Sequence, residues 1–188
     1  MSARAAVLTI STSLARGEGE DVSGPALVRL CEQAGLEVQH EVVSDDRESI
    51  VAALKRLADH DGVRFVFTTG GTGLTVDDVT PEATQSVIER AAPGYAEAIR
   101  ADSRQHTPLG LLTRGVSGVR GRTLFVNLPG NPKAIEQSWP IVEPTLEHAA
   151  QLLERVRARA PSRAAPASPS RTCRVPPGPS RSAPAAPS

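Results

Sequence analysis

The feature that most constrains the fold is an alternation of short, strongly apolar runs with longer segments of helical periodicity. Residues 5–10 leave almost no room for polar side chains, which is typical of a strand buried on both faces of a parallel sheet. Apolar character or alternation predicts three further strands, at residues 37–43, 63–68 and 123–128.

Helical patterns follow these strands, with apolar residues recurring at spacings of three and four. The last helix contains Pro140 and Pro144, and each must kink or restart it because proline lacks an N–H and crowds the preceding turn. Between the third helix and the fourth strand, the sequence indicates a short helix over 95–101 and an irregular or hairpin element over 111–121. The order of elements predicts right-handed crossovers and a three-layer α/β/α sandwich with a mostly parallel sheet.

Composition divides the chain at about residue 160. Residues 161–188 contain 8 Pro, 6 Ser, 6 Ala, 4 Arg and no acidic residue, with one Val as the only large aliphatic side chain. Such a segment cannot bury enough apolar surface to offset the entropy of ordering, so we expect a disordered tail. Residues 1–160 fit one domain and carry a net charge of −4, since the tail holds four of the 21 basic and none of the 21 acidic residues. An acidic body argues against nucleic acid as a partner.

The cysteines and the amino terminus bear on the cellular compartment. Cys31 and Cys173 show no spacing for a disulfide framework or a zinc site. The apolar start is followed at once by polar residues rather than by a cleavage site, and no run is long enough to span a membrane. We therefore expect a cytoplasmic protein with no membrane partner.

A glycine-rich loop follows the third predicted strand. It contains Gly70, Gly71 and Gly73. Thr69 precedes the first glycine, and Thr72 lies between Gly71 and Gly73. Residues without Cβ let backbone N–H groups turn toward a phosphate, and threonine hydroxyls add donors. The loop has neither the lysine of a Walker loop nor the glycine spacing of a dinucleotide-binding motif, and by itself it also fits a purely structural turn.

Two acidic pairs accompany this loop. Asp77 and Asp78 follow the glycines, and Asp45 and Asp46 follow the second strand, so both pairs can approach the same edge of the sheet. A carboxylate beside a phosphate repels it unless a divalent cation lies between, and Mg²⁺ fits best. Helix capping is the alternative for each pair: Asp45 or Asp46 for the second helix, and Thr80 followed by Pro81 for the third.

The segment 68–84, TTGGTGLTVDDVTPEAT, closely resembles the central motif of the MogA/MoaB family of molybdenum-cofactor biosynthesis proteins, which includes the G domain of gephyrin. The segments AVLTIS, EDVSGPAL, VVSDDRESI, PGYAEAIR and RGRTLFVNLPGNPKA agree in the same order. The resemblance covers residues 5 to about 153 and implies a molybdopterin-binding domain over 1–160, an α/β sandwich and, commonly, a homotrimer or a higher homo-oligomer. Other molybdenum-cofactor enzymes are possible partners.

The resemblance also implies an activity and a site. Active family members use magnesium to transfer AMP from ATP to the terminal phosphate of molybdopterin, releasing pyrophosphate. Their two important aspartates correspond to Asp45 and Asp78, as catalytic and metal-binding residues. The positions implied to bind the substrate or nucleotide are Ser11, Thr69, Gly70, Gly71, Thr72, Gly73, Pro129, Gly130 and Asn131.

One departure leaves alternatives open. Many family members continue the first strand as Ser-Asp-Arg, where this chain has Ser11-Thr12-Ser13. If the missing groups contact a substrate, the chain is a weak or inactive MoaB-type molybdopterin-binding or scaffold protein rather than an adenylyltransferase. A third interpretation, a nucleotide-cleaving enzyme of the competence-damage type, lacks the second domain of those proteins.

Overall fold

The computed structural model describes residues 3–155, and the predicted disordered tail at 161–188 lies outside them. The strands are β1 (Arg4–Ile10), β2 (Glu37–Val43), β3 (Phe65–Thr69), β4 (Arg90–Ala91), β5 (Ser117–Arg120) and β6 (Thr123–Leu128). The helices are α1 (Thr12–Ala15), α2 (Ser23–Gln33), α3 (Arg47–Asp59), α4 (Thr80–Val87), α5 (Gly94–His106), α6 (Pro132–Val142) and α7 (Leu146–Glu154), with 3-10 turns at Pro108–Leu112 and Glu143–Thr145. In this part of the chain, no helix combines the length and apolarity needed to cross a bilayer.

The six strands form one sheet in the order β2-β1-β3-β6-β5-β4. Strand β1 pairs in parallel with β2 and β3, and β3 pairs in parallel with β6. Strand β5 runs antiparallel to β6, and β4 antiparallel to β5. The predicted mostly parallel α/β sheet is confirmed, and four strands end at one edge while β5 begins there.

Helices cover both faces of the sheet because successive strand residues point to opposite sides. Ala5 and Val7 pack in a core with residues of α2, α5, α6 and α7, whereas Ala6 and Leu8 pack in a second core with residues of α3 and α4. Trp139 of α6 is 3% exposed and packs edge-to-face on Phe67, with ring centroids 5.5 Å apart. The result is the predicted three-layer arrangement.

The regions that lacked clear periodicity differ most from the prediction. Helix α5 extends to His106, well beyond the expected end at residue 101. The segment 111–121 contains β5, which joins β6 through a turn that includes Gly121 at φ +53°. The two prolines of the last helix act differently: Pro140 lies within α6, whereas the chain restarts through the 3-10 turn that contains Pro144.

Candidate functional site

The loops singled out by the sequence meet at the carboxyl edge of the sheet. The loops after β1 and β2 are joined by two hydrogen bonds between Thr12 and Asp45. The Thr12 N–H donates to Asp45 Oδ2 (2.6 Å), and the Asp45 N–H donates to Thr12 Oγ1 (3.0 Å). Those after β3 and β6 meet where Thr69 Oγ1 donates to the Pro129 carbonyl (2.8 Å). These contacts bring four strand ends together, which is where ligands bind in open α/β sheets.

Backbone packing explains the glycines of the loop after β3. Gly70 and Gly71 have φ of +101° and +61°, in the region that favours glycine. A Cβ on Gly70 would collide with the carbonyl oxygen of Ile10, and one on Gly71 would collide with Thr80 Oγ1. A Cβ on Gly130 would lie 3.3 Å from the Cα of Gly70. The glycines therefore allow three loops to pack backbone against backbone, whatever else they bind.

Thr80 does not have the capping role that the sequence analysis left open as an alternative. The N-cap of α4 is Val79, which makes no side-chain cap, and Thr80 is already the first helical residue. Its hydroxyl donates to the Gly70 carbonyl (3.0 Å), and its N–H donates to the Gly71 carbonyl (3.1 Å). The capping alternative therefore does not apply to Thr80: the loop folds back onto the helix start, and Thr80 stabilises the glycine-rich loop.

Asp78 is held by the loop in which it lies. Its Oδ2 accepts the N–H (2.8 Å) and the hydroxyl (2.7 Å) of Thr75. The hydroxyl of Thr75 is the main cause of a lowered pKa for Asp78, and partial burial opposes it. A Cβ on Gly73 would lie 2.8 Å from the same oxygen. Asp78 is therefore ionised at neutral pH, while its neighbour Asp77 is exposed.

The second acidic pair divides into a cap and a loop residue. Asp46 is the N-cap of α3, where its Oδ2 accepts the Ser49 N–H (2.8 Å), and this bond lowers the pKa of Asp46. Asp45 is half-buried at the junction with Thr12 and makes no capping bond to α3. Of the two alternatives for this pair, helix capping applies to Asp46.

The first loop begins with a short helix. Ser11 is the N-cap of α1, accepting the Leu14 N–H (3.4 Å), and its hydroxyl also lies 3.1 Å from the Ser13 hydroxyl. Thr12 provides the contact to Asp45 described above. The departure from the Ser-Asp-Arg pattern therefore lies directly beside one of the two candidate carboxylates.

A half-buried carboxylate, that of Asp21, closes the same loop at the start of α2. Asp21 Oδ1 accepts the N–H groups of Ser23 (3.0 Å) and Gly24 (2.8 Å). Its Oδ2 lies 3.3 Å from His40 Nε2, which is also 3.0 Å from Thr9 Oγ1. Burial acts to raise the pKa of Asp21, but hydrogen bonds, led by that from Gly24, outweigh it and lower the pKa. This cluster fixes the end of the first loop.

The loop after β6 combines a helix cap with an open cavity. Asn131 Oδ1 accepts the N–H groups of Lys133 (2.9 Å) and Ala134 (3.4 Å), which starts α6. Beside it lies a cavity of about 340 Å³ between this loop, α5 and the following 3-10 turn. The cavity is lined by Ser103, His106, Thr107, Leu109, Gly110, Thr113, Pro129, Asn131, Lys133, Ala134 and Gln137.

Arg114 is one residue that the sequence analysis missed. Its Nε donates to the Gly73 carbonyl (2.7 Å), its Nη2 donates to the Asp78 carbonyl, and its Nη1 pairs with Glu82. The sequence carried no signal for these contacts, because nothing in residues 111–121 indicates that the strand there begins at the carboxyl edge.

Asn127 is a second residue that the sequence analysis missed. It is 3% exposed within β6, and its Nδ2 donates to the hydroxyls of Thr68 (2.9 Å) and Thr84 (3.0 Å). Its Oδ1 accepts the Val116 N–H (3.1 Å), which links β6 to the segment before β5. A signal existed here, because an amide inside an otherwise apolar strand requires buried partners.

The sequence-predicted residues have distinct surroundings at this edge. Thr69 and Thr72 are buried, at 0% and 7% exposure, and Thr69 already donates its hydroxyl to Pro129. Gly70, Gly71 and Gly73 present backbone, while Asp45 and Asp78 present carboxylates. Backbone donors beside carboxylates suit an anionic ligand accompanied by a cation.

Comparison with known proteins identifies a family and several relatives that this chain resembles. Residues 6–148 match a family described as a probable molybdopterin binding domain. The chain is 35% identical over 150 residues to a Helicobacter pylori protein named molybdopterin adenylyltransferase, covering 78% of the chain and 85% of that protein. The structure of MoaB from Thermus thermophilus matches with a TM-score of 0.75 at 42% identity, over 80% of the chain and 95% of that structure. A MogA structure matches with a TM-score of 0.76 at 36% identity, over 80% and 99%.

Proposed function

Because the chain belongs to the MogA/MoaB family of molybdenum-cofactor biosynthesis proteins, we propose that it is a magnesium-dependent molybdopterin adenylyltransferase. The substrates are ATP and molybdopterin. An oxygen of the terminal phosphate of molybdopterin attacks the α-phosphorus of ATP, the bond from that phosphorus to the bridging oxygen breaks, and pyrophosphate leaves. The observation that supports the proposal is that the glycine-rich loop, Asp45 and Asp78 all follow strands that end at the same edge of the sheet.

The proposed reaction does not require a side chain that removes a proton. A phosphate monoester has its second pKa near 6, so at neutral pH the attacking oxygen is already anionic. The histidines near the site have structural partners: His40 contacts Asp21, and His106 at the cavity lies 3.3 Å from Asp102. What remains for the protein is to align two polyanions and to neutralise their charge.

The donor set at this edge fits magnesium. Within residues 3–155, no group of three or more His, Cys, Asp and Glu side chains could hold a metal by itself. Mg²⁺ is usually bound by one or two carboxylates together with phosphate oxygens and water, so such a group is not needed. Asp45 and Asp78 would hold it, and the ion would neutralise charge on the phosphates of ATP. The hydrogen bonds from Thr12 and Thr75 hold one oxygen of each carboxylate in place, which supports this assignment.

The remaining surfaces of the edge take the substrates in this proposal. The backbone N–H groups of Gly70, Gly71 and Gly73 cradle phosphates, and the loop after β6 closes the site from the other side. The cavity beside Asn131, at about 340 Å³, falls within the usual size range of small-molecule sites and suits an organic part of one substrate.

The test is an adenylylation assay on purified protein with molybdopterin, ATP and magnesium, following adenylylated molybdopterin and pyrophosphate. We expect turnover by the wild type and a fall in kcat of about 100-fold or more in Asp45→Asn and Asp78→Asn. The neighbouring variants Asp46→Asn and Asp77→Asn are matched controls, since they remove the same charge one residue away, and should retain most activity.

The outcome also separates the alternative function. If the wild type binds molybdopterin but forms no product, the chain is a binding or scaffold member of the family, which the Ser11-Thr12-Ser13 sequence would then explain. If Asp46→Asn and Asp77→Asn lose as much activity as the Asp45 and Asp78 variants, the assignment of the two carboxylates is wrong.

We further propose the homotrimer that the family resemblance implies. Trp139 is a core residue at 3% exposure, so an interface must use other side chains. Leu109, Leu111 and Leu112 are exposed at 68%, 62% and 47%, and they are apolar side chains available at the surface. Sedimentation of the purified protein tests this proposal, and the mass of a single chain would overturn it.

A further inference from the structure

We propose that Arg114 is a positioning residue for the proposed transfer, holding the loop 73–78 in the shape that presents Asp78. The inference rests on the proposed function for its kinetic consequence, but its structural content is independent. Arg114 precedes β5 and approaches the glycine-rich loop from a different part of the chain. We infer that it acts through the backbone of this loop and through Asp78, without touching a substrate.

The guanidinium joins the two ends of this loop. Its Nε donates to the carbonyl of Gly73 at the start (2.7 Å), and its Nη2 donates to the carbonyl of Asp78 at the end. Its Nη1 pairs with Glu82 in the first turn of α4. One planar group therefore ties both loop ends to the helix that follows, which a lysine with a single ammonium cannot reproduce.

The other bonds of the loop 73–78 are mostly internal to it. Leu74 and Val76 are exposed at 65% and 91%, so the loop does not anchor itself in the core. Its own bonds are internal: the N–H and hydroxyl of Thr75 and the N–H of Gly73 donate to the Asp78 carboxylate, the Asp78 N–H donates to the Thr75 carbonyl (3.2 Å), and the Val79 N–H donates to the Asp77 carbonyl (2.9 Å). These local bonds close a small ring but do not fix its orientation relative to the sheet. The contacts of Arg114 supply that orientation.

The main chain of Arg114 makes a separate contact that a side-chain substitution leaves in place. The Arg114 N–H donates to the Thr72 carbonyl (2.9 Å), so the strand segment and the loop remain adjacent when the guanidinium is removed. A side-chain variant therefore tests the guanidinium contacts and not the docking of the two segments. The positive charge of Arg114 is also a minor cause of the lowered pKa of Asp78, after the Thr75 hydroxyl.

Arg120 provides a matched control on the same hairpin. Its guanidinium also makes several hydrogen bonds. Nε (3.0 Å) and Nη2 (2.7 Å) donate to the Asp59 carboxylate, and Nη1 donates to the Val87 carbonyl (3.3 Å). Because it lies at the other end of β5, its contacts are at the opposite edge of the sheet from the candidate site. Losing Arg120 should weaken the fold without altering the loop 73–78.

The experiment is amide hydrogen exchange on Arg114→Met, Arg120→Met and the wild type, without ligand. We expect the amides of residues 75–80 to exchange at least about tenfold faster in Arg114→Met, since two charge-assisted hydrogen bonds are lost, and to be unchanged in Arg120→Met. Equal exchange in Arg114→Met and the wild type would overturn the inference. So would equal acceleration in both variants, because that pattern means general loosening of the fold.

Two milder variants keep the test decisive if Arg114→Met folds poorly. Arg114→Lys keeps the positive charge but loses the several N–H donors of the guanidinium. We expect the amides of residues 75–80 to exchange at a rate between those of Arg114→Met and the wild type. Glu82→Gln removes the ion pair but leaves both carbonyl contacts, so we expect exchange within about twofold of the wild type. Acceleration by Glu82→Gln as large as that of Arg114→Met, or wild-type exchange in Arg114→Lys, would contradict the bridging role.

Kinetics then connects the loop to the reaction. In the adenylylation assay, Arg114→Met should lower kcat by about 10-fold to 100-fold with a KM for ATP close to that of the wild type, and Arg120→Met should retain kcat. A wild-type kcat in Arg114→Met, despite faster exchange, would overturn the positioning role. If the wild type itself forms no product, the proposed function fails, while the exchange comparison still decides whether Arg114 holds the loop.

Discussion

Replacing Asn127 with alanine tests whether a buried hydrogen-bond network attaches the candidate site to the sheet. Asn127 donates to the hydroxyls of Thr68 (2.9 Å) and Thr84 (3.0 Å) and accepts the Val116 N–H (3.1 Å). It thereby connects β3, α4, β6 and the segment before β5 from a position that is 3% exposed. Alanine removes all three bonds at once.

The expected loss of stability follows from those bonds. Each intramolecular hydrogen bond contributes about 1 kcal/mol, so three correspond to about 3 kcal/mol. The two threonine hydroxyl oxygens lose the donor that Asn127 Nδ2 provides, and the Val116 N–H, which is fixed by the backbone, loses its acceptor. With a slope of about 2 kcal/mol per molar urea, the unfolding midpoint should fall by about 1.5 M.

Urea unfolding followed by circular dichroism measures this fall, with Ser138→Ala as the control. Ser138 is also buried, at 1% exposure, but its hydroxyl donates to Ala134 in the same helix (2.8 Å). Its loss leaves no N–H without a partner, so we expect a change of under about 1 kcal/mol. If Asn127→Ala lowers the midpoint no more than Ser138→Ala, the network does not stabilise this edge and the reasoning is refuted.

Three further predictions concern backbone strain, acid stability and the tail. Gly70→Ala should destabilise the fold by about 2 kcal/mol or more, because φ is +101° and a Cβ there meets a carbonyl oxygen, whereas Gly94→Ala, with open space, should change thermal stability little. Hydrogen bonds from Arg120 lower the pKa of Asp59, so this pair stabilises the fold above the unfolded pKa of about 3.9 and is lost as pH falls through the lower folded value. Urea midpoints at about pH 6 and about pH 3 should therefore differ less in Asp59→Asn than in the wild type. Deleting residues 161–188 should leave folding and any adenylyl transfer intact, and a large loss of either would show that the boundary near residue 160 is wrong.

Local pattern was sufficient for the parallel strands. Strands β2 and β6 have the predicted bounds, and β1 and β3 differ from prediction by two residues or fewer at each end. Strands buried on both faces must be apolar, and their helices must present apolar residues at spacings of three and four, so both signals are strong. Pattern also indicated which loops share an edge, since parallel strands end on the same side.

Local sequence pattern did not predict strand directions or side-chain partners that depend on residues distant in the chain. Strand β4 has two residues and β5 has four, so neither shows a clear alternation of apolar and polar side chains. Gly118 of β5 lies close to Ile88 and the Arg90 carbonyl. The antiparallel pairing of these strands places Arg114 at the carboxyl edge, and nothing local to residues 111–121 encodes that. The same limit applies to Thr80. Its hydroxyl does not cap a helix but donates to the carbonyl of Gly70, ten residues earlier in the chain.

By itself, the sequence determined that this chain forms a mostly parallel α/β sheet with a glycine-rich loop and acidic residues at one edge, because these depend on periodicity and on the order of strands. Only the tertiary structure decided that Asp46 caps a helix while Asp45 joins two loops, since both are chemically alike and differ only in the groups they reach. It also decided that Arg114 spans the loop carrying Asp78. A side chain's role of this kind is set by acceptors brought near it through folding, which neighbouring residues in the sequence do not specify.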